Sequence, residues 1–301
     1  MRRPRWSLHR ARVLIGSKFV LIAGLVGFVL IAWLVELVAG IDHAVHLNVV
    51  VAALMAGIPA LLWLGFFYLM DRHEPEPKQL VAGVCVLGAL IAAPIADFVQ
   101  FGVIAPQPLE MVDPIPLHLW GIFFDPQRVL YAIFVAGLAQ EMCKYAAVRY
   151  TIYLSREFDE PMDGIVYMMA AGTGFAVWIN YHRMSGQGHS VDLSTAAAQA
   201  VVTTLAHASF AGVLGYVMGR AKFSQRSAPV RGLLLMFGLL GAATLNGVFR
   251  LIETYVNSSG GRIQPWKGVG YAALFAAAVF SVILIVAQNL LETSPFRKER
   301  R

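Results

Sequence analysis

Apolar runs of about 20 residues recur along the chain and alternate with short polar segments. As a helix, a run of that length crosses the hydrocarbon core of a bilayer, which is about 30 Å thick. The pattern predicts eight transmembrane helices, near residues 19–38, 47–70, 79–104, 129–149, 163–181, 194–219, 232–255 and 269–291. The predicted fold class is therefore all-α, a polytopic helical membrane protein of about eight helices.

The composition agrees with a membrane protein and not with a soluble domain. Hydrophobic residues make up 58% of the chain and charged residues 14%, whereas about a quarter of the residues in a soluble domain are charged. The first apolar run is longer than the hydrophobic region of a signal peptide, so we expect it to stay as the first helix. We expect a basic N-terminal segment at residues 1–18, a single membrane domain at 19–291 and a basic tail at 292–301.

The basic residues predict the orientation of the chain. Of the 24 Lys and Arg residues, eighteen lie on the side of the N-terminus in the predicted topology, four lie on the opposite side, and Lys144 and Arg250 lie within helices. Basic residues accumulate on the cytoplasmic side of membrane proteins, so both termini are expected in the cytoplasm. The net charge of +6 thus comes from basic residues that lie mostly at one membrane face, where they meet the lipid headgroups. We therefore expect the lipid bilayer, and no nucleic acid, as a partner.

The fourth apolar run contains an acid and an amine at mid-membrane depth. Glu141 is about 3 Å from the centre of this run at a rise of 1.5 Å per residue, and Lys144 lies three residues on, on the same helix face. A charged side chain there costs about 3 kcal/mol or more unless a partner offsets it, and such residues usually mark functional sites. The alternative interpretation is a buried ion pair that only holds two helices together.

Two further polar residues lie at the same predicted depth on other helices. His207 is at the centre of the sixth run, and Asn246 is within about 4 Å of the centre of the seventh. If they converge with Glu141 on one water molecule, the acid can serve as a general base, the imidazole can orient or protonate, and an amide from Asn246 or Gln140 can stabilise an oxyanion. Taken singly, a histidine or asparagine in a helix is more often a packing residue.

Three stretches resemble the PrsW family of intramembrane proteases, relatives of the CAAX-prenyl-protease superfamily. Residues 71–78 read DRHEPEPK and are similar to the family's DRxEPEP loop. Residues 140–144 read QEMCK and are similar to its E-E-x-x-K motif, and residues 158–167, FDEPMDGIVY, with the following Gly174-Phe175, are similar to its F-x-E-P-x-DGxxYG and GF segments. His207 resembles the family's intramembrane histidine, and the likeness covers about residues 65–250.

The resemblance implies a glutamate-dependent membrane peptidase, sometimes described as a metalloprotease. Its members cut membrane-bound substrates such as anti-sigma factors, and the family implies a bacterial plasma membrane. Carried over residue by residue, Glu141 and His207 are the expected catalytic residues, while Gln140, Lys144, Asp163 and Asn246 have supporting roles.

The chain departs from the family pattern at three positions. Gln140 takes the place of the first acid of the Glu pair, Ile179 that of the acid before Asn180, and Asn246 that of a second histidine. Each change removes a potential metal ligand or proton carrier, so no cofactor is expected, and a divalent metal such as zinc is the less favoured alternative. Zinc would have only Glu141 and His207 of its usual three or four ligands.

Three functions therefore stand as hypotheses. The first is an intramembrane peptidase that activates water with Glu141 and His207. The second is a catalytically inactive relative that binds membrane clients without cleavage, which the changes at Gln140 and Asn246 favour. The third is a proton- or ion-coupled carrier, although the chain lacks the paired broken helices typical of many carriers.

Overall fold

Eight long helical segments make up the fold in the residues that the structure describes. The computed structural model describes residues 8–41, 44–69, 76–104, 117–119, 122–124, 129–185, 192–258 and 265–293. Six of the segments are single α-helices, namely α1 Leu8–Ala39, α2 Val49–Tyr68, α5 Pro161–Ser185, α6 Leu193–Lys222, α7 Ala228–Ser258 and α8 Pro265–Thr293. The third and fourth, α3 and α4, are composite helices at residues 78–104 and 131–149. The predicted all-α membrane fold is thus confirmed.

The composite helices contain stretches of the wider π-helix. In α3, the α-helical segments Lys78–Leu87 and Ala93–Asp97 are each followed by a π-helical one, Gly88–Ala92 and Phe98–Ile104. Pro94 lies in the second α-helical segment, and because proline lacks an N–H and crowds the carbonyl group four residues earlier, the helix widens just before it. In α4, the π-helix Tyr131–Gly137 leads into the α-helix Leu138–Arg149.

A short antiparallel pair of strands lies between α3 and α4. Strand β1, Leu117–Leu119, pairs with β2, Ile122–Phe124, and Leu117 is opposite Phe124 in the register. This pair is the only departure from helix among the regular elements of the described residues, and the sequence pattern did not predict it.

Seven of the eight helices are long and apolar enough to cross a membrane. The exception is α4, whose second half carries Glu141, Lys144 and Arg149 within twelve residues. The fourth predicted span is therefore a helix at the expected position, but its polar residues set it apart from the other seven. Its membrane depth remains a prediction that follows from its neighbours.

Helices α5 and α6 form the centre of the molecule. Their apolar stretches are 83% and 78% buried, whereas those of the other five candidate spans in the described chain are 17–33% buried and leave large apolar side chains on the outside. Helices α2 and α3 pack on α5, α7 and α8 pack on α6, and α4 packs on α7. The Glu36 side chain of α1 accepts a hydrogen bond from the backbone N–H of Ser194 and so satisfies a free donor at the start of α6.

Gly172 allows α5 and α6 to touch through their backbones. A Cβ atom at Gly172 would lie 2.4 Å from the carbonyl oxygen of His207, a distance that no side chain tolerates. Close approach of this kind is typical of small residues in membrane helix pairs. It fixes the position of His207 relative to α5.

We predict that Gly172→Ala destabilises the protein by about 1–3 kcal/mol, because the added methyl group must push α6 away. The measurement is thermal or denaturant unfolding of the detergent-solubilised protein. Gly57→Ala in α2 is the matched control, since a Cβ atom there would meet nothing within 4 Å. Equal stability of the Gly172→Ala variant and the parent would contradict the close contact.

Candidate active site

An ion pair within one turn of α4 forms the centre of the site. The Nζ atom of Lys144 donates a hydrogen bond of 2.6 Å to Oε1 of Glu141, and both side chains are completely buried. A buried ion pair is stable only when further polar groups complete its hydrogen bonding. Those groups come from the neighbouring helices.

Helix α6 supplies His207 to the same ammonium group. The Nζ atom of Lys144 lies 3.1 Å from Nδ1 of His207. An ammonium group can only donate, so Nδ1 accepts, and this network assigns the imidazole proton to Nε2. Both groups rest on the ring of Phe175 in α5, whose centroid is 4.7 Å from Nζ and 5.4 Å from the centroid of the imidazole ring.

Helix α7 supplies Asn246 to the other side of the acid. Its Nδ2 atom donates to Oε1 of Glu141 at 2.8 Å and to Oε1 of Gln140 at 3.0 Å. Gly137 of α4 permits this approach, since a Cβ atom there would lie 2.3 Å from the carbonyl oxygen of Ala243 in α7. Oε1 of Glu141 thus receives two hydrogen bonds, whereas Oε2 has no partner within the described part of the chain.

Gln100 of α3 extends the network, and the sequence pattern did not point to it. Its Oε1 atom accepts from Nε2 of Gln140 at 3.4 Å and from a guanidinium nitrogen of Arg250 at 3.3 Å. Gln100 is fully buried. The sequence offers one signal for Gln100, namely that it is an amide inside an apolar run. Because it lies far from the middle of that run, it does not share the predicted depth of Glu141.

A cavity of about 460 Å³ reaches this cluster from one side. Gln140 and His207 form its inner part, and most of the other wall residues lie towards the C-terminal ends of α3, α5 and α7. Besides His207, the charged and histidine side chains in the wall are Asp97, His182, Arg183, Arg250 and Glu253. Glu141 is not part of the wall, so its carboxylate lies behind Gln140 and His207.

The structure brings together five of the six residues predicted for the site. Gln140, Glu141, Lys144, His207 and Asn246 form one connected set of hydrogen bonds. Asp163 is separate, because it lies twelve positions before Phe175 on α5, which is about 18 Å along the helix axis.

Asp163 stabilises the start of α5. Its Oδ2 atom accepts hydrogen bonds from the backbone N–H groups of Asp159 at 2.7 Å and Glu160 at 2.8 Å. One helical turn further along, the hydroxyl group of Tyr167 donates to Glu76. Residues 71–75 of the first motif lie outside the described residues, but Glu76 shows that the end of this motif contacts the start of α5.

Comparison of the sequence with models of known protein families identifies the family of this chain. The model, described as "PrsW family intramembrane metalloprotease", matches residues 76–287. The chain belongs to the PrsW family. Its membership agrees with the resemblance seen in the three motifs, and the predicted peptidase class is confirmed at the level of the family.

Several proteins named Protease PrsW are similar to the chain. The one from Geobacillus kaustophilus is 34% identical over 170 residues, which cover 56% of this chain and 66% of that protein, just under two thirds of it. The Bacillus subtilis protein is 28% identical over 208 residues, covering 69% and 85% of the two chains. The Oceanobacillus iheyensis protein is 31% identical over 200 residues, covering 66% and 81%. No solved structure matches the chain.

The residues at the site do not fit the metal that the family description implies. Among the described residues, no group of three or more His, Cys, Asp or Glu side chains is placed to hold a metal ion. Glu141 and His207 are the two candidate ligands of the cluster, and the Nζ atom of Lys144 lies between them. Zinc sites in proteins use three or four such ligands, and the described cluster offers two.

We predict that Asp163→Ala lowers the free energy of unfolding by about 2 kcal/mol, because two backbone N–H groups lose their acceptor. Asp163→Asn keeps an acceptor oxygen and should lose less. Unfolding of the two variants and the parent in the same detergent measures the difference. A loss that is equal in both variants would show that the charge, and not the hydrogen bonding, matters at this position.

Proposed function

We propose that the protein hydrolyses peptide bonds of membrane-bound protein substrates, with Glu141 and His207 as the catalytic pair. The observation that carries the proposal is the connected cluster of Glu141, Lys144 and His207 beside a cavity, in a chain of the PrsW family. Packing alone does not require a buried acid, amine and imidazole from two helices to meet at one nitrogen atom.

Glu141 is the proposed general base. Its Oε1 atom is held by Lys144 and Asn246, and its Oε2 atom has no partner in the described residues. When a water molecule passes from the cavity between Gln140 and His207, Oε2 takes a proton from it as the water oxygen bonds to the substrate carbonyl carbon. When the C–N bond breaks, the same proton passes from Glu141 to the leaving nitrogen.

His207 and Gln140 are the proposed donors to the developing oxyanion. Because Nδ1 of His207 accepts from Lys144, its Nε2–H is free to donate, and His207 lines the cavity. Gln140 also lines the cavity, and its amide nitrogen has a second N–H beside the one that binds Gln100. Asn246 has both N–H groups engaged, so it positions Glu141 and Gln140 and does not contact the oxyanion.

We also propose where the reaction takes place. The chain lies in a bacterial plasma membrane with both termini in the cytoplasm, and residues 19–291 form one membrane domain between the basic ends. The C-terminal ends of α5 and α7, and with them the cavity, then face the extracytoplasmic side. An anti-sigma-factor-like protein with a single membrane span is the proposed substrate class.

Substitution of the two catalytic residues tests the proposal. Glu141→Gln keeps the size of the side chain but removes the base, and His207→Ala removes the donor, so each should lower cleavage of a reconstituted single-span anti-sigma factor about 100-fold or more. Met142→Ala, next to Glu141 but on the exposed side of α4, is the matched control and should cleave like the parent. If both site variants also cleave like the parent, the assignment is wrong.

A second function is supported by two observations. Glu141 lies behind the cavity wall and in an ion pair, and Gln140 and Asn246 replace residues of the family pattern. A protein of this kind can bind membrane clients without cutting them.

Captured clients distinguish the two functions. The peptidase predicts that a single-span client recovered with the parent protein carries new termini, and that the same client recovered with the Glu141→Gln variant is intact. The binding function predicts an intact client in both cases. Mass spectrometry of the client termini is the measurement.

A further inference from the structure

We infer that the ammonium group of Lys144 is the resident cation of the site and occupies the place that a metal ion takes in a metalloprotease. The inference deepens the proposed function, because it names the positive charge that organises the proposed catalytic pair. It concerns a disagreement between this chain and the description of its family.

The geometry around Nζ leaves no room for a metal between the acid and the imidazole. Nδ1 of His207 accepts a hydrogen bond from Nζ at 3.1 Å, so its single lone pair points at Nζ. A metal on Nδ1 lies along that lone pair at about 2.0–2.1 Å, which would bring it within about 1 Å of Nζ. Oε1 of Glu141 is 2.6 Å from the same nitrogen. The ammonium group and a metal bridging these two atoms exclude each other.

The charges lead to the same conclusion. The carboxylate of Glu141 and the ammonium group of Lys144 neutralise each other in a fully buried pair. A divalent cation added to this cluster would leave two positive charges without a counter-charge in the apolar interior, which is strongly unfavourable. The neighbouring side chains, Gln100, Gln140 and Asn246, are neutral amides, which are not among the usual ligands of zinc.

Phe175 provides a surface that suits an ammonium ion. Its ring is fully buried and its centroid lies 4.7 Å from Nζ. The negative face of an aromatic ring attracts a cation, and more strongly where water is excluded. Lys144 thus has a carboxylate, an imidazole nitrogen and an aromatic ring around it, and together these groups hold a monovalent cation.

Metal content tests the inference without any assay of cleavage. The purified full-length protein is incubated with zinc or manganese, desalted and analysed by mass spectrometry of the metals, and its unfolding midpoint is measured with added zinc and with a chelator. We expect less than one metal per ten chains and the same midpoint in both conditions. About one metal per chain that is lost in both Glu141→Gln and His207→Ala would overturn the inference.

Lys144→Met provides the second test. Met has a similar length but no charge, so the variant should lose cleavage about 100-fold or more, and added zinc should not restore it. Lys222→Met is the matched control, since Lys222 donates to the backbone carbonyl groups of Tyr153 and Phe158, away from the site, and should cleave like the parent. Parent-like cleavage by Lys144→Met, or its recovery with zinc, would overturn the inference.

The two measurements separate this inference from the proposed function. If the parent protein binds no metal but cleaves no substrate, the proposed peptidase fails and the role of Lys144 as the cation of the cluster stands. If the Lys144→Met variant does not fold, the metal content of the parent protein still decides.

Discussion

A carboxylate inside an apolar protein is the constraint on which the arrangement of the helices depends. Glu141 has no exposed surface, and an ionised carboxylate without partners is among the least favourable groups to bury. Its compensation comes from Lys144 on its own helix and Asn246 on α7, and Lys144 is in turn held by His207 on α6. The positions of α4, α6 and α7 are therefore tied to one another by polar contacts as well as by packing.

These contacts need helices that approach one another closely, and small residues provide the approach. Gly172 places α5 against the backbone at His207, and Gly137 places α4 against the backbone near Asn246. In both cases the glycine lies across from the helix turn that carries a polar side chain of the site. Two glycines with no chemical role of their own therefore set the distances between the helices that carry the polar side chains of the site.

The sequence contained much of the fold and part of the site. Apolar run lengths and a fixed rise per residue were enough to predict eight helices and to place Glu141, His207 and Asn246 at one depth. The sequence could not show which helices are neighbours, so Gln100 and the ring of Phe175 were not predicted as parts of the network. Asp163 was grouped with the site because it belongs to a motif, whereas the structure shows it at the start of α5, away from Phe175. The π-helical turn Gly88–Ala92 of α3 has a signal in the sequence, the proline at position 94, whereas Phe98–Ile104 and Tyr131–Gly137 have no comparable signal.

The two charges of the cluster belong to a single turn of α4, while the imidazole and the amide belong to other helices. A sliding or tilting motion of one helix past another therefore leaves the acid and amine together. The same motion changes the spacing to His207 and Asn246. A rearrangement that admits a polypeptide would therefore shift His207 and Asn246 relative to α4, while Glu141 and Lys144 move together as one rigid unit.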